Sequence, residues 1–222
     1  LAEALARDLG GQTYVLLVFL AGDKPPFALT GQAAANLVRD GLPDIAGYVQ
    51  TLAIDGSAFS GCAELYFWSG CAADEVLTSA LKPLLTEGTT VVSSMSGHHR
   101  TVMRLPQFSN SSRIKGVYPF HRRPDMAPRE FQSYWWRNHG PIAAQTENAL
   151  AYYQTHPLLT SYEEGNPDFD GVTEIYWADK NTADAAVVSR QMTEDQAGDA
   201  QNFVDLERVM LFFGVEDLVI AA

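Results

Sequence analysis

The chain has 222 residues, a formal net charge of −12, 46% hydrophobic residues and 19% charged ones. This is the composition of a well-packed globular protein of one domain or two small ones, and it excludes a disordered chain. The acidic balance argues against nucleic acid or an anionic membrane as partner, and no apolar run approaches the roughly 20 residues that a membrane-crossing helix needs.

The N-terminal stretch LAEALARDLGG has no basic region followed by an apolar core, so no secretory signal is expected. Cys62 and Cys71 lack Cys or His neighbours at metal-ligand spacing, which fits a reducing cytoplasm without disulfides or zinc. Farther along, His98-His99-Arg100 precedes a strand, with Arg100 set opposite Arg208 in the second half. Adjacent histidines on a strand point to opposite faces and cannot share one ion.

Three segments of the first half recur in the second, in the same order. LVRDGLPDI (37–45) lies against WWRNHGPIA (135–143), YVQT (48–51) against YYQT (152–155), and GCAELYFW (61–68) against GVTEIYWA (171–178). The offset between the copies grows from one matched segment to the next, as two loop insertions in the second copy would make it. The pattern reads as a tandem duplication with a boundary in the polar stretch at 106–112.

In the second half, strands are predicted over 113–121, 150–156, 171–178 and 207–213. Helices are predicted over 127–138, continuing past Gly140-Pro141, and over 181–195. Phe131, Tyr134, Trp135 and Asn138 recur at helical spacing and give one largely apolar face. Pro128 suits the first helical turn and Gly140 a C-terminal cap. The order strand, helix, strand, strand, helix, strand in each copy predicts an α+β fold of two tandem ferredoxin-like units, 12–106 and 112–220. Each sheet would carry helices on one face only, and pairing the two bare faces would make a pseudo-dimeric α/β barrel.

The run FHRRPDMAPREFQSYWWRNHGPIA (120–143) resembles the signature of the EthD family of the dimeric α/β-barrel superfamily. The residues that carry the resemblance are Arg123, Pro124, Phe131, Tyr134, Trp135, His139, Gly140 and Pro141. The first half departs at the key place, where Gly41 stands opposite His139 and Leu37 and Val38 replace the tryptophans. The resemblance implies the fold and small cofactor-independent enzymes acting on aromatic polyketides and related compounds. Haem-binding relatives of this barrel also exist, which would make His139 a candidate axial ligand.

His139 is the candidate catalytic residue. At a helix end the carbonyl dipoles would raise its pKa and suit it to acid-base work, or it simply caps the helix. Glu174 and Tyr176 share a strand face, as do Glu64 and Tyr66 in the other copy, and by elimination they look toward the barrel interior. Their role is either chemical or a structural hydrogen-bond pair. Trp135, Tyr118, Tyr153, Glu174 and Tyr176 are the candidate substrate-binding residues. His121-Arg122-Arg123 reads as a solvated basic loop, or as a cluster that neutralises a carboxylate or phenolate ligand. No dinucleotide, Walker, nucleophile-elbow or HExxH motif is present, so no cofactor is expected.

The resulting expectation is a cofactor-independent enzyme in which His139 moves a proton of an apolar, oxygenated molecule inside the barrel. A non-catalytic ligand-binding barrel is the alternative. A small molecule is the expected partner, and exposed strand edges favour a homodimer.

Overall fold

A computed structural model describes residues 12–55, 57–69, 76–104, 113–163 and 165–220. The proposed boundary at 106–112 and Cys71 lie outside the described residues. The chain divides into two compact units, one of Leu1–His99 with Gly214–Ala222, the other of Arg100–Phe213.

The first unit begins with β1 (Gln12–Ala21), α1 (Gly31–Gly41), β2 (Ile45–Ala53) and β3 (Gly61–Phe67). A short helical stretch follows over 77–84, and then β4 (Thr90–Met103), whose last four residues belong to the second unit. Antiparallel β3 lies between β1 and β2. Ala34, Ala35 and Val38, one face of α1, pack with Leu16, Val18, Leu65, Val76, Leu81 and Leu84 into a continuous apolar core. The helix stops two residues before Pro43, whose ring could not continue it.

The second unit contains β5 (Ile114–Phe120), β6 (Ala151–Pro157) and β7 (Gly171–Trp177), with β7 antiparallel between the other two. The helices of this unit are α2 (Pro128–Tyr134), α3 (Gly140–Ala143), α4 (Lys180–Val187) and α5 (Ala197–Ala200). The repeated glutamates hold the same place in each sheet. Glu64 pairs with Leu17 and Val49, and Glu174 with Val117 and Tyr153.

Two expectations need correction. The last strand, β8, spans Phe212–Ile220 rather than 207–213. Leu206–Arg208 is instead a 3-10 turn, closed by the Asp205 side chain on the Glu207 amide at 3.3 Å. Arg100, inside β4, and Arg208, in this turn, are therefore not structural counterparts. From Gly214 onward β8 pairs with β2, within the first unit.

Every residue of β3, β6 and β7 is buried, so both faces of these strands are covered. Glycine opens each repeated GxxE segment for a different reason. A Cβ on Gly61 would lie 2.4 Å from the Thr51 carbonyl oxygen, whereas one on Gly171 would lie 2.6 Å from the Trp135 ring. Gly171→Ala therefore forces Trp135 out of place, and we expect a loss of about 1–3 kcal/mol in urea denaturation. A variant with unchanged midpoint and slope would show that the ring can yield.

Candidate active site

The run after Ala127 forms one helical rod interrupted by a wider turn, with α2, a π-helical turn over Trp135–His139 and α3 following without a break. Pro141 explains the turn. Proline has no N–H, and its ring collides with the carbonyl four residues back in an α-helix. The wider turn lets the Gly140 amide bond to the Trp135 carbonyl, five residues back. The Gln154 amide from β6 donates to the same carbonyl at 3.3 Å. Gly140 is thus inside the rod rather than a C-terminal cap, and His139 does not sit at a helix end.

Phe131, Trp135 and His139 all face inward and are buried. Trp135 lies against Phe120 (ring centroids 4.9 Å apart, 82° between planes) and over His156 at 4.3 Å. Phe203 packs on Phe131 at 5.8 Å, Tyr134 at 5.4 Å and His139 at 4.9 Å.

Between these helical side chains and the sheet is a cavity of about 200 Å3. Tyr118 and Phe120 of β5, Tyr152 of β6 and Thr173 and Ile175 of β7 supply its sheet wall. Trp135, His139, Gln196, Phe203 and Leu206 are among the residues opposite. The cavity lies wholly within the second unit, which corrects the expected position in a hollow shared by both copies.

His139 Nδ1 is 2.8 Å from Asp199 Oδ2, and Tyr134 Oη donates to Asp199 Oδ1 at 2.8 Å. Asn202 in turn donates to Tyr134 Oη at 3.1 Å. With an ionised carboxylate as acceptor, the proton of neutral His139 sits on Nδ1 and the lone pair on Nε2. Among the described residues none hydrogen-bonds Nε2. Burial lowers the His139 pKa below its ordinary 6.5, although Asp199 pulls the other way. This reverses the rise expected from a helix terminus, because the ring is enclosed within the rod. The imidazole is therefore neutral at pH 7 and able to accept a proton.

The other candidate residues divide by sheet face. Trp135 and Tyr118 line the cavity with His139. The Tyr118 hydroxyl is buried without a hydrogen-bond partner, and burial raises its pKa. Tyr153, Glu174 and Tyr176 do not line the cavity but point to the opposite face, since alternate strand residues do so. There Glu174 forms an ion pair with fully buried Lys115, whose ammonium also lies over the Tyr176 ring at 5.4 Å. Tyr153 packs edge-on against Tyr176 at 5.8 Å.

The basic run is not a solvated loop throughout. Arg122 binds Asp170 at 2.5 Å, a carboxylate that also accepts from Tyr162 at 2.7 Å. His121 Nε2 is 2.9 Å from Arg208. Arg123 is more exposed and pairs with Asp125. Among the described residues no three His, Cys, Asp or Glu side chains converge as a metal site. A haem does not fit this cavity. Drug-sized molecules already need roughly 300–1,000 Å3, and the His139 ring is held between Asp199 and Phe203.

Asp199, Tyr134 and Asn202 as a group were not anticipated from sequence, because Asp199 is 60 residues from His139 and sits in an unremarkable acidic stretch. Since the carboxylate raises the imidazole pKa, Asp199→Asn should move the His139 titration further down when followed by NMR in the folded protein. An unmoved midpoint would show that the pair does not tune the ring.

Residues 123–207 match the family profile described as EthD domain. No curated protein matches the sequence. Among solved structures, a mutant chlorite dismutase from Candidatus Nitrospira defluvii is 12% identical, with a TM-score of 0.60, over 95% of this chain and 94% of its own. An anthrone oxidase-like protein is 14% identical, with a TM-score of 0.59, over 96% of each chain. A protein of Lactobacillus acidophilus NCFM provisionally named a monooxygenase is 12% identical, with a TM-score of 0.51, over 94% of this chain and 96% of its own. These likenesses concern the fold, which is α+β. No helix among the described residues is long and apolar enough to cross a membrane. The profile match covers the rod, His139, Asp199 and the part of the cavity lining between Trp135 and Leu206.

Proposed function

We propose that the second unit is a cofactor-independent enzyme site in which His139 removes a proton from an apolar, oxygenated ring compound. The observation that carries this reading is the Asp199–His139 pair at the wall of an apolar cavity. Asp199 holds the tautomer, Nε2 accepts the proton, and the imidazolium that forms is paired with the carboxylate behind it. The Tyr134 and Asn202 bonds keep that carboxylate in place. The deprotonated substrate then isomerises, dehydrates, cyclises or passes electrons to O2. The anthrone oxidase-like neighbour supports the last route as one option.

The repeated strand order supports reading the two units as tandem ferredoxin-like copies. Likeness in fold to chlorite dismutase over nearly the whole chain supports the same reading. A cytoplasmic location and a small-molecule partner complete the reading, with the cysteine usage and acidic charge in their favour.

The test is deuterium incorporation into the methyl group of 2′-hydroxyacetophenone in D2O. His139→Ala should slow enzyme-dependent exchange by about 10²–10⁴-fold, and Asp199→Asn should also slow it. Because burial keeps the His139 pKa below 6.5, exchange should hold at pH 7–8 and decline only as the pH falls below that value. Exchange that persists in His139→Ala would remove His139 as the base, and exchange no faster with the unaltered protein than without it would favour ligand binding without proton transfer.

A further inference from the structure

We infer that the occupant of this cavity is an uncharged, weakly acidic molecule built on a single substituted ring. The inference rests on the reading of His139 as a base and adds the size and charge of what that base acts on.

Size comes from the volume and from how the walls are fixed. A dry cavity of about 150 Å3 takes up benzene, whereas drug-sized ligands occupy roughly 300–1,000 Å3. At about 200 Å3 this cavity suits one ring with a short substituent. The walls have little room to retreat. The Trp135 ring is caught between Gly171, Phe120 and His156, and Phe203 is wedged among Phe131, Tyr134 and His139. A linear three-ring molecule would push its outer ring past Leu206 and Val209, residues 48% and 40% exposed, and leave it in water.

Charge comes from what the lining lacks. No Lys, Arg, Asp or Glu side chain is among the residues that line the cavity. The nearby cations are engaged elsewhere, Arg122 with Asp170 and Arg208 with His121. A carboxylate entering here would lose its hydration without gaining a counter-ion, which is strongly unfavourable. A neutral molecule avoids that cost. Its proton then moves to Nε2 inside the cavity, where the resulting anion faces an imidazolium already paired with Asp199. A phenol or a ring ketone with an acidic C–H meets both demands.

Isothermal titration calorimetry at pH 7.5 with phenol, 1-naphthol, 1-anthrol and benzoate tests this on the intact protein. In ordinary apolar binding each added ring raises affinity. Here we expect 1-anthrol and benzoate each to bind about tenfold more weakly than phenol. Phe203→Leu, with Ile175→Val as a gentler second variant, should narrow the gap between phenol and 1-anthrol. Affinity that climbs steadily from one ring to three in the unaltered protein, or benzoate binding equal to phenol, would overturn the inference. The same series run on His139→Gln separates the two ideas. If ring order and charge order persist while this variant keeps full exchange activity, the base assignment falls and the size and charge of the occupant stand.

Discussion

One missing amide hydrogen shapes the site. Pro141 cannot donate to Arg137, so the rod widens over Trp135–His139 and the Gly140 amide reaches back to Trp135. On a regular α-helix, residues eight apart drift by about 80° around the axis. The wider turn takes up part of that drift, so Phe131, Trp135 and His139 all remain on the buried face. The first unit has a proline at the matching place, Pro43, but ends its helix at Gly41 before reaching it. Two like segments thus resolve the same steric problem in different ways, and only the second carries an imidazole on this helix.

Much of the fold was legible because it follows from short-range rules. The GxxE segments, with alternate residues on opposite strand faces, placed β3 and β7 correctly, and the apolar helical spacing of Phe131, Tyr134 and Trp135 placed the rod. The sheet face of Glu174 was also readable, as the one opposite Ile175 and Trp177. Its consequence was misassigned, because the cavity is on the side of Ile175. Glu174 instead answers the charge of Lys115, a partner on another strand that no local pattern announces.

The least legible features depend on distant contacts. His139 looked like a helix-end residue because Gly-Pro usually stops a helix, and only the Gln154 and Gly140 bonds to the Trp135 carbonyl reveal that it does not. Its pKa direction changed with that correction, since enclosure replaced an end dipole as the dominant influence. Asp199 could have been found only by knowing that the chain after α4 folds back on the rod. Its nearest sequence cue is the aromatic at 203, which packs on the same histidine.

The segment that returns over the cavity is fastened to the end of β5 by backbone bonds at a few points. The Arg123 amide bonds to the Phe203 carbonyl and the Asp205 amide to the His121 carbonyl, each at 2.9 Å, and Met210 bonds to Pro119 at 3.0 Å. None of these belongs to the β5–β7–β6 ladder. Loosening this stretch would therefore cost a few hydrogen bonds while the strand ladder stays intact, a local event rather than global unfolding.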